Sequence, residues 1–449
     1  MSSLNNRLKG GLWVNKLSDK IATWLAPVAN KFANQRHLGA VRDGFILLIP
    51  LVIVASFFIL INNVVLDPDN GILKNVIDLS QFKGIGTQVY NGTLGFLSIF
   101  VAFTVAYKLA VSYGKDGVIP GVMSVAVLVT MFPSVLEVTP LNSEAAVQVT
   151  GMITQTETSA TGLLFAIISA LLGTELFLKL QENKRFRISL PESVPPAVSR
   201  SFEALIPAFV TLSFFGTLVF LLQSMFGLGL QEIVTEVIQV PLKAIFQGLV
   251  GINVVMTFQN LLWGMGIHGT FVLGPITEPT LLTAIQENIN AFQTNIEIPN
   301  IVTKPFIDSF AMLGGGGCTI GLIIAIFIAS KRAEYREVAK FSLAPGLFNI
   351  NEPLMFGLPV ILNPILAIPL ILVPLVNLNI AYMATSLGFI SKTVVMVPWT
   401  TPPVLSAFLS TAGDWRAALL AVLLIGISVF IYLPFVIAAN KVANEERSH

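Results

Sequence analysis

The sequence predicts an all-α polytopic membrane protein, with about ten transmembrane helices, re-entrant hairpins and amphipathic helices on the membrane surface. Three observations carry that expectation. Of 449 residues, 54% are hydrophobic and only 11% are charged, against roughly 25% charged in an ordinary soluble domain. The apolar residues fall in long runs with almost no charge: 45–66, 93–111, 161–180, 206–226, 306–330 and 417–437. Several reach the ~20 residues a helix needs to cross a hydrocarbon core of ~30 Å. The charges between the runs also segregate by sign, although the net charge is only +1.

The segments follow in order. Residues 1–42 form an arm rich in Lys and Arg, with Trp13 and Trp24 among spaced apolar positions. That pattern predicts an amphipathic helix on the cytoplasmic surface. The arm is not a cleavable signal, since it is charged throughout and runs directly into a full span. Residues 43–226 contain five apolar segments, the third being 118–136. The loops after the first and third segments lean acidic (Asp67, Asp69, Asp78; Glu137, Glu144, Glu157), while Lys179, Lys184, Arg185, Arg187 and Arg200 follow the fourth. By the positive-inside rule the basic segments, the N-terminus and the C-terminus are cytoplasmic. Residues 227–248 read as an amphipathic connecting helix, with Ile233, Val234, Val237, Ile238 and Leu242 at helical spacing and a kink or end expected at Pro241.

Residues 249–449 are less regular. Five crossings place residue 227 outside, and the basic stretch Lys331 to Lys340 belongs inside, so an odd number of crossings must separate them. Two apolar segments lie between, 249–273 and 306–330. One of them enters and leaves on the same side, or a third, less obvious segment crosses. Pro345, Pro353, Pro359, Pro364, Pro369 and Pro374 then interrupt the next apolar stretch. Broken backbone at membrane depth is tolerated where protein or a water-filled cavity satisfies its polar groups, and Gly/Pro-broken segments point to a transporter's binding site. Re-entrant hairpins and the recognition site are therefore expected in this half.

A few polar residues there can carry chemistry. His268 lies in Trp263-Gly-Met-Gly-Ile-His268-Gly269; an intramembrane ionisable group beside glycines suits a ligand site, and a buried, hydrogen-bonded histidine is the plainer reading. Glu352, in Asn349-Ile-Asn351-Glu352-Pro353, sits at a break in the chain and can accept a sugar hydroxyl proton or hold a cation. An ion pair is its structural alternative, yet no Lys or Arg occurs between Lys340 and Lys392. Glu278 offers similar chemistry or a loop role, and Asp308 has Lys304 four residues earlier as a helix-surface partner. Trp263 and Trp399 suit either interfacial anchoring or stacking on the C–H face of a sugar ring. The run Gly314–Gly317 permits close helix packing and lacks the Lys-Ser/Thr of a phosphate loop. The single cysteine, Cys318, excludes an internal disulfide and a cysteine-based metal cluster. No metal site, cofactor fingerprint or nucleic-acid interface is expected, and the basic loops are accounted for by topology.

The motifs Gly-Met-Gly-Ile-His268-Gly269 and, further on, Phe-Asn349-Ile-Asn351-Glu352-Pro-Leu-Met-Phe-Gly-Leu-Pro resemble the enzyme IIC permeases of the bacterial phosphoenolpyruvate-dependent sugar phosphotransferase system, nearest the lactose/cellobiose/diacetylchitobiose family. The stretch Arg36-His-Leu-Gly-Ala-Val-Arg-Asp-Gly is also similar, and the resemblance covers essentially the whole chain. It implies a homodimer in the bacterial plasma membrane, with the first five spans forming the interface and the second half holding a β-linked disaccharide. It places His268 and Glu352 at the hydroxyl that becomes phosphorylated, Glu352 as hydrogen-bond acceptor or general base. Trp263, Gly269, Asn351, Asp308 and Trp399 become expected sugar contacts. Phosphate would come from a phosphocysteine on a IIB protein, itself charged by a IIA protein. With the chain ending at His449, IIB is expected on a separate chain and the permease is expected not to catalyse by itself. The competing readings are an ion-coupled secondary transporter with Glu352 or Glu278 as proton carrier, and a membrane enzyme using His268 and Glu352 as an acid–base pair.

Overall fold

The computed structural model describes residues 35–66, 68, 79–139, 145–191, 193–294, 296–358 and 364–446. The amphipathic helix expected around Trp13 and Trp24 lies outside the described residues. By contact the described residues divide into two compact units, one within 35–55 and 88–244, the other within 56–87 and 245–446.

The described chain is built almost wholly from helices, as expected. The helices are α1 (Arg36–Leu60), α2 (Lys83–Asn91), α3 (Leu97–Ser112), α4 (Val118–Thr130), α5 (Gln155–Thr158), α6 (Leu163–Glu182) and α7 (Pro196–Phe226). They continue with α8 (Leu230–Val234), α9 (Val240–Gln247), α10 (Leu249–Gly264), α11 (Gly269–Gln293), α12 (Lys304–Phe306), α13 (Thr319–Ala329), α14 (Ala333–Leu347), α15 (Glu352–Gly357), α16 (Pro364–Ser386), α17 (Pro403–Ser410) and α18 (Trp415–Glu446). Among the described residues, six helical stretches are long and apolar enough to cross a membrane; a bent pair, 230–247 with 249–264, makes a seventh if counted as one span. Helices α4 and α13 are apolar but shorter.

In the unit of residues 35–55 and 88–244, α3, α4 and α6 pack against one another and α7 lies against α4 and α6. Their seam holds Ala102, Val127, Leu128, Met131, Phe165 and Phe215, all buried. Close approach depends on small residues: a Cβ at Gly121 would lie 2.7 Å from the Phe103 ring. With lipid as apolar as a leucine side chain, this fit rather than escape from water holds helices together. A short antiparallel hairpin, β1 (Val135–Val138) with β2 (Val147–Thr150), connects α4 to α5.

The unit containing 245–449 is broken, and the breaks are polar. The preceding helix, in the other unit, does not end at Pro241: a π-helical turn, Thr235–Gln239, comes just before the proline, and the 87° bend falls between Gln247 and Leu249. The apolar run 306–330 divides into α12, a π-helical turn (Ile307–Ala311), a glycine turn and α13. Gly314, Gly315 and Gly317 take φ of 85°, 97° and 82°, conformations closed to most L side chains. Helices α13 and α16 each pack against α18. Tyr432 of α18 donates to the Gly317 carbonyl at 2.6 Å, satisfying a buried acceptor the helix has released.

Candidate functional site

His268 terminates the link between α10 and α11 and caps α11. Its Nδ1 accepts the backbone N–H of Phe271 at 3.2 Å, so in the neutral ring the proton resides on Nε2. The imidazole is held between two aromatic rings, stacked on Phe271 at 3.7 Å between centroids and tilted against Trp263 at 4.2 Å. Position, orientation and tautomer are thus set by three contacts from the same helix junction.

Glu352 opens α15, with Pro353 in its first turn. Its Oε1 lies 3.7 Å from His268 Nε2, and the two side chains are 45% and 28% exposed. That separation exceeds a hydrogen bond, but a hydroxyl oxygen can lie about 2.8 Å from both atoms. Between them the pair offers one donor, Nε2–H, and one anionic acceptor.

The other expected contacts sort themselves by geometry. Trp263 is buried, and its Nε1–H has no hydrogen-bond partner among the described residues; its ring lies on Gly316, where a Cβ would come within 2.6 Å. Gly269 faces protein: a Cβ there would sit 2.0 Å from the Gln259 carbonyl oxygen, so glycine is required for α11 to leave α10. Asn351 is buried and donates to the Gly316 carbonyl at 2.8 Å. Trp399 is half-exposed, and its carbonyl accepts from Asn349 at 2.6 Å. Asp308 belongs to a second cluster, where it accepts Lys304 Nζ at 2.6 and 2.7 Å and Glu278 approaches the same ammonium at 3.7 Å. Gln259, Thr270, Thr277, Glu278 and Lys304 line one small cavity, and the Thr270 hydroxyl is buried without a partner among the described residues.

Residues 42–374 match the family described as phosphotransferase system, EIIC. The chain belongs to that family. This EIIC protein is similar to the lichenan permease IIC component of Bacillus subtilis, with 33% identity over 94% of this chain and 93% of that one. It is similar also to the cellobiose-specific EIIC component of Geobacillus stearothermophilus, with 34% identity over 94% and 93% of the two chains. Among solved structures it resembles the transporter ChbC, the IIC component of the N,N'-diacetylchitobiose-specific system. That match has a TM-score of 0.88 and 30% identity, over 95% of this chain and 99% of ChbC. The EIIC chain is therefore a membrane-embedded sugar permease component rather than an ion-coupled transporter.

Three features of this EIIC site are not legible in the sequence. Phe271 and its N–H fix the His268 ring, yet stacking across one helical turn looks like any apolar position. Asn260 accepts the Gly317 N–H at 2.9 Å, and Asn349 ties two loops to its own turn. The repeated asparagines in apolar sequence were the available signal, and nothing local says which loop each one reaches.

Proposed function

We propose that this EIIC protein binds a β-linked disaccharide, of the cellobiose or diacetylchitobiose kind, and presents one of its hydroxyls for phosphorylation. The observation that carries this reading is the His268–Glu352 pair, open to a ligand and spaced to share one hydroxyl. In this reading His268 Nε2–H donates to the sugar oxygen and the Glu352 carboxylate accepts its proton. The freed oxygen attacks phosphorus on a phosphocysteine of a IIB protein, which a IIA protein recharges. An O–P bond forms, the S–P bond breaks, and the thiolate leaves with IIB. The product is an anion, which the membrane retains inside.

The second cluster extends the same reading. Glu278 follows His268 by about ten residues of helix, or about 15 Å, a span suited to a disaccharide. Lys304 and Asp308 supply donors and acceptors for the far ring, and the exposed Trp399 supplies an apolar face. The protein acts as a homodimer in the plasma membrane of a bacterium, with both termini cytoplasmic and the sugar held by the unit containing 245–449.

Glu352→Gln tests the reading. It should abolish IIB-dependent sugar phosphorylation while sugar binding to purified protein is partly kept; wild-type phosphorylation in that variant would remove Glu352 from the chemistry.

A further inference from the structure

The His268–Glu352 separation is set by segments far apart in sequence, and one side chain connects several of them. Asn349 lies three residues before Glu352, is buried, and takes φ of 63°. Only glycine, asparagine and aspartate adopt that backbone readily. Its amide oxygen accepts the Gly314 N–H at 2.8 Å. Its amide nitrogen donates to the carbonyls of Trp399 at 2.6 Å and Thr401 at 3.0 Å. Three partners thus need one acceptor and two donors on a residue that tolerates positive φ. Asparagine alone meets both conditions.

The glycine turn that Asn349 holds is fixed at its other positions too. The Gly316 carbonyl accepts from the Asn351 amide, the Gly317 N–H donates to Asn260 of α10, and Trp263, also of α10, packs on Gly316. The turn therefore joins the helix that carries Trp263 and leads to His268 to the turn that carries Glu352. Gly315 leaves no slack, because a Cβ there would lie 2.8 Å from the Asn349 carbonyl oxygen.

We propose that Asn349 is a positioning residue for phosphoryl transfer, holding Glu352 at its distance from His268 by clamping the Gly314–Gly317 turn to the Trp399–Thr401 turn. The proposal rests on the reading of His268 and Glu352 given above. Asn349 touches neither sugar nor the phosphorus; it acts through Glu352. Displacing a reacting group by about 1 Å costs on the order of 100-fold in rate, whereas sugar affinity depends on many contacts.

Two variants test it in the full-length protein, reconstituted with a phosphorylated IIB partner and cellobiose or diacetylchitobiose. Asn349→Gly keeps the backbone conformation and removes all three bonds. Asn349→Asp keeps the acceptor for Gly314 but sets a carboxylate against two carbonyls. Per folded molecule, both should lose about 10- to 100-fold in transfer rate at saturating sugar. Sugar affinity should change by less than about fivefold, the split expected when an interaction matters in the transition state alone. Glu352→Gln is measured beside them. If Glu352→Gln transfers normally, the site reading fails and the proposal with it. If Glu352→Gln is inactive and both Asn349 variants transfer within about twofold of wild type, the proposal alone is overturned. Rate and affinity falling together, or neither variant accumulating as folded protein, would make Asn349 a folding residue and likewise overturn it.

Discussion

At the scale of single residues, His268 does two jobs that can be separated. Its Nδ1 caps α11 through Phe271 N–H, while Nε2 faces Glu352. Asparagine is a good N-cap and can accept the same N–H, but it places no donor where Nε2 stands. His268→Asn should therefore leave the unfolding midpoint nearly unchanged and reduce sugar phosphorylation by about 10²- to 10⁴-fold, the usual weight of a positioned acid–base group. Transfer assays and thermal unfolding of the same purified sample check both halves; a large stability loss with normal transfer per folded molecule would reverse the assignment. His268 and Glu352 were legible as candidates because ionisable groups are costly in apolar sequence. Their approach to 3.7 Å was not legible, since no local pattern encodes which turns meet.

At the scale of elements, helix contacts and helix ends decide the outcome. Gly121 faces the Phe103 ring and Gly84 faces open space. Gly121→Ala should overpack α3 against α4 and lower stability by about 1–3 kcal/mol, whereas Gly84→Ala should not lower it; unfolding in one detergent compares them. The entry to α18 is built from Asp414. Burial there would raise its carboxyl, but bonds from the Arg416 guanidinium and from the backbone N–H groups of Ser391 and Arg416 outweigh burial and hold it at about 2. A carboxylate lowered in the folded state stabilises the fold above its unfolded value of about 3.9. That contribution is lost as pH falls from about 4 towards about 2. Asp414→Asn should lower the unfolding midpoint at pH 7 and flatten its decline below pH ~4; an unchanged acid limb would show that Asp414 does not set it.

At the scale of the molecule, membership of the EIIC family makes the energy source the deciding property. Sugar should appear inside vesicles as its phosphate when phosphoenolpyruvate and the soluble phosphotransferase proteins are supplied. Dissipating the proton gradient should leave that uptake intact. Uptake of free sugar that stops with the gradient would restore the proton-carrier reading of Glu352 or Glu278. The fold class was legible from the sequence because hydrocarbon imposes a length and a composition on anything that crosses it. The number of crossings was less so. Segments such as α4 and α13 fall short of a full span, and a break that costs little where polar groups find partners leaves the hydropathy pattern unchanged.

The sequence by itself determined that the chain is helical and membrane-embedded, that its second half is broken by glycine and proline, and that two motifs align it with the EIIC permeases. These are properties of composition, periodicity and short strings, each readable without knowing what lies nearby. Tertiary structure alone decided that Gly269 is needed for the Gln259 carbonyl, that Glu278 joins the Lys304–Asp308 pair in a second polar cluster, and that Asn349 joins turns 35 and 50 residues away. The physical reason is common to all three. A hydrogen bond or a close backbone approach constrains two partners at once, and the sequence shows each partner only one at a time.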